Sequence, residues 1–234
     1  MYQKFQTCLI AFALAAQGFA SELTDRFPDP SIEKIYDYFA SLPVKLCDIG
    51  EHMPALRMLA AECPHVTEIG LGGIISTWGL LQGLIDNPSP NRTYIGIDIA
   101  IPPRDNLDLA ERLAVEKGIS FTFRNGNDLY LDIEETDFLF IDSMHTYCHL
   151  TYELETFSPK VRKYIAMHDT SEPWGQRDDG EYGGNYSEYP GHINRGKRGL
   201  WPAVSDFLKT HREWTLQERR LNCHGFTILK RVEQ

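Results

Sequence analysis

Asp137-Phe138-Leu139-Phe140-Ile141-Asp142-Ser143-Met144-His145 holds four consecutive apolar residues of strand type, closed by an acid and, three residues on, an imidazole. A strand with one wet face would alternate apolar and polar side chains. An unbroken apolar run needs cover on both faces, the environment of a parallel sheet packed between helices. Runs of the same kind recur at Val66–Leu71, Thr93–Ile99, Ile119–Arg124 and Tyr164–His168, separated by helical or turn stretches. The alternating β-α-β-α order predicts an α/β fold with a doubly wound, mostly parallel sheet. A helix at about Leu200–His211 follows, then Trp214–Arg219 and Gly225–Val232, close enough to pair as a terminal hairpin. Ahead of the first strand, residues 31–62 read as helical, broken near Pro43 and ending before Pro64.

A chain of 234 residues with 42% hydrophobic and 24% charged side chains has the composition of an ordinary globular protein, which sets disorder and repeat arrays aside. Its 33 acidic and 23 basic residues give a formal charge of -10, which argues against a phosphate-driven nucleic-acid partner and fits a small-molecule partner better. Lys4, the apolar run Cys8 to Ala16 and the small residues Gly18 and Ala20 match a secretory signal peptide over residues 1–20. That run is too short to span a bilayer, so no membrane span is expected once it is removed. The remainder, 21–234, reads as a single domain. Cysteines at 47, 63, 148 and 223 form no CxxC pair and read as small core residues. Residues 171–199, rich in Gly, Tyr, Asp and Arg, read as a long loop of the lid type.

The first strand ends in Glu68-Ile69-Gly70-Leu71-Gly72-Gly73, and Ser76-Thr77-Trp78 opens the next helix. Glycines there allow a sharp turn and close approach of a ligand to a helix start; a plain tight turn is the other reading. Asp98, closing the second strand, can accept both hydroxyls of a ribose, or serve as a cap. The dinucleotide fingerprint needs a glycine where Ile75 stands, and no Tyr-x-x-x-Lys pair follows, so nicotinamide binding loses ground. Gly191-His-Ile-Asn-Arg-Gly196-Lys197-Arg198 has the outline of a P-loop, but Arg198 replaces its Ser or Thr and no strand precedes it.

The fourth and fifth apolar runs finish in Asp142-Ser143-Met144-His145 and His168-Asp169-Thr170. On neighbouring parallel strands about 4.8 Å apart, Asp142 and Asp169 converge at the carboxyl edge, where open α/β sheets bind ligands. Two carboxylates suit magnesium, while His168 moves the preference toward zinc, iron or manganese. A capping role for Asp142 and an internally bonded His168 are the structural alternatives. His145 has the pKa range to take a proton from an acceptor hydroxyl at neutral pH. His145, Cys148 and His149 also mimic a zinc cluster, but without the Glu of H-E-x-x-H, and helix packing accounts for Cys148 and His149. Tyr182, Tyr186 and Tyr189 either stack on an acceptor or pin the loop.

Taken together, Glu68-x-Gly70-x-Gly72-Gly73, Asp98, Asp142 and His168-Asp169-Thr170 resemble the class I S-adenosylmethionine-dependent methyltransferases. FLFIDSMHTY, KVRKYIAMHDT and GLWPAVSDFL look like the branch of cephalosporin hydroxylase-like methyltransferases, over roughly residues 45–232. The resemblance implies a seven-stranded Rossmann-like sheet with an antiparallel last strand. Glu68, Gly70, Gly72, Gly73 and Ser76 would serve the cofactor S-adenosylmethionine, with Asp98 at its ribose and Asn127 and Asp128 at its adenine. In similar metal-dependent O-methyltransferases the acids after the fourth and fifth strands hold a metal, matching Asp142 and Asp169, with His168 beside them in place of an acidic or amide ligand. His145 stands where catechol-type relatives place a lysine base. The implied activity is O-methylation of a small-molecule acceptor with Mg2+ or another divalent metal assisting; the alternative is an exported, non-catalytic adenosyl-binding domain. An export signal and a cytosolic methyl donor point to different compartments. Monomer and homo-oligomer both stay open.

Overall fold

The computed structural model describes residues 22–180 and 186–232. The stretch 1–20, read above as a leader, lies outside the described residues, as does Tyr182. The backbone divides after Asn127 into two compact units. Among the described residues, no helix is long and apolar enough to cross a membrane.

In the first unit, helices α1 (Glu22–Arg26), α2 (Ile32–Ser41) and α3 (Met53–Ala61) precede strand β1 (His65–Ile69). Helix α4 (Ile75–Asp86), β2 (Arg92–Asp98), α5 (Arg104–Glu116) and β3 (Ile119–Asn125) follow. The interruption expected at Pro43 falls between α2 and α3. Ser31 starts α2 by accepting the Lys34 N–H at 3.2 Å. The three strands are parallel in the order β3-β2-β1, with Glu68 opposite Gly96 and Asp98 opposite Asn125. Trp78, Tyr94, Leu56 and Met53 fill the core of this unit. Gly83 is required where α4 crosses α3, because a Cβ there would sit 2.3 Å from the Arg57 carbonyl oxygen.

The second unit contains β4 (Thr136–Ile141), α6 (Tyr147–Phe157), β5 (Val161–His168), α7 (Leu200–Thr210), β6 (Trp214–Arg220) and β7 (Phe226–Arg231). Its strand order is β4-β5-β7-β6. β4 and β5 are parallel with Ile141 opposite Met167, while β7 is antiparallel to both β5 and β6. The described residues thus form seven strands, mostly parallel and ending in an antiparallel hairpin, as the apolar runs predict. Phe138, Phe140, Phe157 and Phe226 are fully buried, each contributing about 2–3 kcal/mol by removal from water. Cys47, Cys63, Cys148 and Cys223 are buried and form no disulfide.

The loop between β5 and α7 is tied down over its described length. The Asp178 Oδ1 accepts the backbone N–H groups of Tyr147 and Gly199, each at 2.8 Å, and Oδ2 accepts the Tyr186 hydroxyl at 2.7 Å. A carboxylate at the first N–H of α6 also meets the positive end of that helix. Tyr186 and the buried Tyr189 therefore pin the loop through their hydroxyls.

Candidate functional site

In the first unit the turn after β1 is set by three neighbours. Gly70 and Gly72 take positive φ angles of 86° and 49°, which glycine adopts without a steric cost. Ile74 is also left-handed at 58°, a conformation β-branched residues rarely hold, and it is fully buried. The Asp98 Oδ2 accepts the backbone N–H of Leu71 at 2.8 Å and of Gly72 at 3.0 Å, and Oδ1 accepts that of Ala100 at 2.8 Å. The acid that closes β2 thus holds the glycine turn that closes β1.

Glu68 turns inward. It is fully buried, and its carboxylate accepts hydrogen bonds from Ser76, from Thr77 Oγ1 at 2.7 Å and from Tyr94. Burial and the Glu68 charge push the Tyr94 hydroxyl pKa well above its ordinary value, so it stays a donor. Glu68 and Ser76 are therefore joined to each other at the helix start, an internal pillar under the turn. Gly73 lies in the turn itself.

The second unit brings together the groups expected after the fourth and fifth strands. His145 Nε2 lies 3.0 Å from Asp169 Oδ2 and 3.5 Å from Asp142 Oδ1. His168 Nδ1 lies 3.4 Å from Asp169 Oδ2 and 3.6 Å from Asp142 Oδ2. The parallel pairing of β4 with β5 produces this: residues just past Ile141 and Met167 leave the sheet side by side. Asp169 adopts φ 58°, a left-handed value that Asp tolerates better than most residues, and this bend aims its carboxylate back at His145. The Trp174 ring stacks on His145 with centroids 5.8 Å apart.

Electrostatics follow from this packing. Burial opposes charge on His145, but the two carboxylates outweigh it and raise its pKa to about 10. His168 is likewise raised well above the ordinary value against burial, by the charges of Asp142 and Asp169. Burial would raise both acids; the charge of His168 and bonds from both imidazoles hold them low. Two carboxylates facing two imidazoliums balance to zero charge.

The same donor set fits a divalent cation. Asp142, His168 and Asp169 each offer a ligand atom, all within 4.8 Å of one another. The His168 Nε2 bonds the Cys223 carbonyl oxygen at 2.9 Å; since a carbonyl only accepts, Nε2 carries a proton and Nδ1 is the nitrogen turned to the carboxylates. That arrangement, a ring N–H held by a backbone carbonyl, is how ligating histidines are usually oriented. Asp169 Oδ1 is buried without a hydrogen-bond partner, which a cation would supply. Gly225 secures the Cys223 turn: with φ 98° and a would-be Cβ 2.4 Å from the Ser171 nitrogen, no other residue fits.

Asn127 lies in the first unit and Asp128 opens the second. The Asp128 carboxylate faces His149, with Oδ2 2.8 Å from Nε2. His149 also faces Glu153 Oε1 at 3.7 Å. Cys148 packs in the core, and no His145-Cys148-His149 cluster is among the groups able to hold a metal in the described residues. Sequence reasoning passed over Glu153, although His149-x-x-x-Glu153 places both on one face of α6. Asp178 and Trp174 were also passed over, since nothing local marks a loop residue as a hub.

No family model and no curated protein sequence matches this chain. Solved structures do match it. A protein from Corynebacterium glutamicum aligns at TM-score 0.56 and 14% identity over 94% of this chain and 98% of that one. An O-methyltransferase from Bacillus cereus in complex with SAH aligns at TM-score 0.56 and 14% identity, over 92% and 97%. A SAH-bound methyltransferase from Podospora anserina gives 0.52 and 13%, over 92% and 96%. The likeness shows the fold: a Rossmann-like α/β fold shared with these solved structures along nearly the whole chain.

Proposed function

We propose that the chain is an S-adenosylmethionine-dependent methyltransferase acting on an oxygen of a small molecule, assisted by a divalent cation. The observation that carries this reading is His145 set between Asp142 and Asp169, with His168 Nδ1 turned to the same two acids. The fold supports it, as do the glycine turn and Asp98 at the carboxyl ends of β1 and β2.

S-adenosylmethionine supplies a methyl group already activated on a sulfonium, so the protein's part is alignment and proton handling. Gly70, Gly72 and Gly73 leave the turn before α4 without side chains in the way of the donor, and Asp98 keeps that turn in place. Asp142, His168 and Asp169 would hold the cation, which would supply positive charge to lower the pKa of an acceptor hydroxyl. On their own the two carboxylates keep His145 an imidazolium; a cation offsetting their charge would leave Nε2 neutral and able to take the hydroxyl proton. Trp174 shields the outer face of that imidazole and keeps its ring plane fixed.

The test is formation of S-adenosylhomocysteine from the full chain, the methyl donor and a panel of phenols, catechols and sugars, with and without chelator. Product that falls on chelation and in Asp142→Asn supports the reading. Equal turnover of Asp142→Asn and the parent under both conditions removes the cation from the reaction, and donor binding without product from any acceptor favours the non-catalytic domain.

A further inference from the structure

Asp128, His149 and Glu153 form a second cluster that the proposed reaction does not use. Glu153 is fully buried, His149 is 4% exposed and Asp128 9%. One ligand-type atom from each lies within 4.8 Å of the others. Buried polar atoms are almost always hydrogen-bonded, yet Asp128 Oδ2, His149 Nε2 and Glu153 Oε2 are all without a hydrogen-bond partner. Three such atoms in one cluster call for a common explanation.

An ordinary His–Asp hydrogen bond does not provide it. Asp128 Oδ2 is 2.8 Å from His149 Nε2, close enough, but it lies off the direction in which a ring N–H would point, and both atoms stay unsatisfied. The other edge of the ring is occupied: His149 Nδ1 is 3.0 Å from the Tyr189 hydroxyl, which in turn donates to Met144 Sδ at 3.6 Å. With its own proton on Met144, the Tyr189 oxygen accepts from Nδ1–H, and Nε2 faces carboxylate oxygen, protonated where the two acids alone hold it and a lone-pair donor where a cation takes the proton's place. The positive charge between these two atoms is a proton on Nε2 or a cation beside both, and the poor hydrogen-bond geometry of the contact favours the cation.

The spacings suit a cation. Metal–oxygen and metal–nitrogen bonds near 2.0–2.2 Å put neighbouring donors about 3–3.6 Å apart, and the His149 Nε2 distances of 2.8 and 3.7 Å bracket that range. Ser143 Oγ donates to Glu153 Oε1 at 2.6 Å, orienting that carboxylate as Tyr189 orients the imidazole. A cavity of about 10 Å³, lined by Asp142, Ser143, His145 and His168 of the first site, touches Glu153 on one side but not Asp128 or His149. Burial pushes Glu153 up to about 8, so a cation would displace its proton; two carboxylates and a neutral imidazole then neutralise a divalent ion, and the imidazole disfavours magnesium.

We propose that Asp128, His149 and Glu153 are a second metal site, separate from Asp142, His168 and Asp169, that takes a zinc- or manganese-type divalent cation. The test is calorimetric titration of the chelator-stripped full chain with Zn2+ alone. The double variant Asp142→Asn/Asp169→Asn keeps one equivalent of Zn2+, and adding His149→Gln removes it. Glu153→Gln, close in shape to the parent, weakens that equivalent at least tenfold. As a check against misfolding, Zn2+ raises the thermal midpoint of the double variant, and the rise vanishes when Glu153→Gln is added. A double variant that binds no Zn2+, or binding that His149→Gln and Glu153→Gln leave unchanged, overturns the site; a carboxyl–carboxylate pair sharing a proton then accounts for the cluster. Neither outcome bears on methyl transfer, which is read by product formation.

Discussion

His145 Nε2 sits 3.0 Å from Asp169 Oδ2, and the two residues come from the ends of adjacent parallel strands. The pair is a product of topology. Neither strand alone creates it, and a one-residue slip between β4 and β5 would turn one partner to the opposite face. The imidazole is strongly basic because its positive form is matched on both sides by carboxylates, so it holds a proton at neutral pH and becomes an acceptor once a cation offsets the two acids.

Replacing His145 by Gln tests that role. Turnover is expected to fall by about 10²–10⁴-fold, the usual contribution of a positioned proton acceptor, while calorimetric affinity for S-adenosylmethionine changes less than about twofold. A turnover within a factor of two of the parent would remove His145 from the reaction.

Asp178 joins the start of α6, the start of α7 and Tyr186 through one side chain that is 5% exposed. Asp178→Ala leaves two backbone N–H groups unsatisfied, and each costs about 1–3 kcal/mol when it stays buried. Urea unfolding should show a loss of about 2–4 kcal/mol, and limited proteolysis should cut within 171–199 faster than in the parent.

Gly225→Ala is expected to act on the site from behind. Positive φ and a Cβ placed against Ser171 together cost upward of about 2 kcal/mol, and relief requires the Cys223 turn or the 168–171 bend to move. A lower thermal midpoint with weakened metal affinity is the expected result. A midpoint and affinity equal to the parent's would show that the turn tolerates a side chain.

Asp206 on α7 accepts hydrogen bonds from Lys197, Lys209 and Tyr147. Burial alone would raise its pKa, but these donors bring it down to about 2. A folded value below the ordinary 3.8 means that folding favours the ionised form. That contribution is complete above about pH 4 and disappears as pH falls through 2. After discounting for partial exposure it amounts to about 1–2 kcal/mol. Asp206→Asn should lower stability by that amount at pH 7, and denaturant curves of variant and parent should converge near pH 2.

The strands were legible because their apolar runs need cover on both faces, and the observed limits lie within a few residues of the expected ones. Asp142, His145, His168 and Asp169 were legible for a related reason: polar groups just past a buried strand have nowhere to go except the sheet's edge. Glu68 and Ser76 were recognisable as a motif, but their direction was not. Whether a carboxylate at a strand's end points outward or into the core depends on Tyr94, twenty-six residues away. Glu153 was hidden because a His and a Glu four apart on a helix resemble a solvated surface pair. Only the burial of that face and the approach of Asp128 distinguish them.

The central claim is that this chain takes S-adenosylmethionine, and calorimetric titration of the full chain with that molecule and, separately, with NADH tests it most directly. The account predicts saturable binding of S-adenosylmethionine with one site per chain, no binding of NADH, and loss of the donor signal in Asp98→Ala. Binding of NADH with none of S-adenosylmethionine would contradict it.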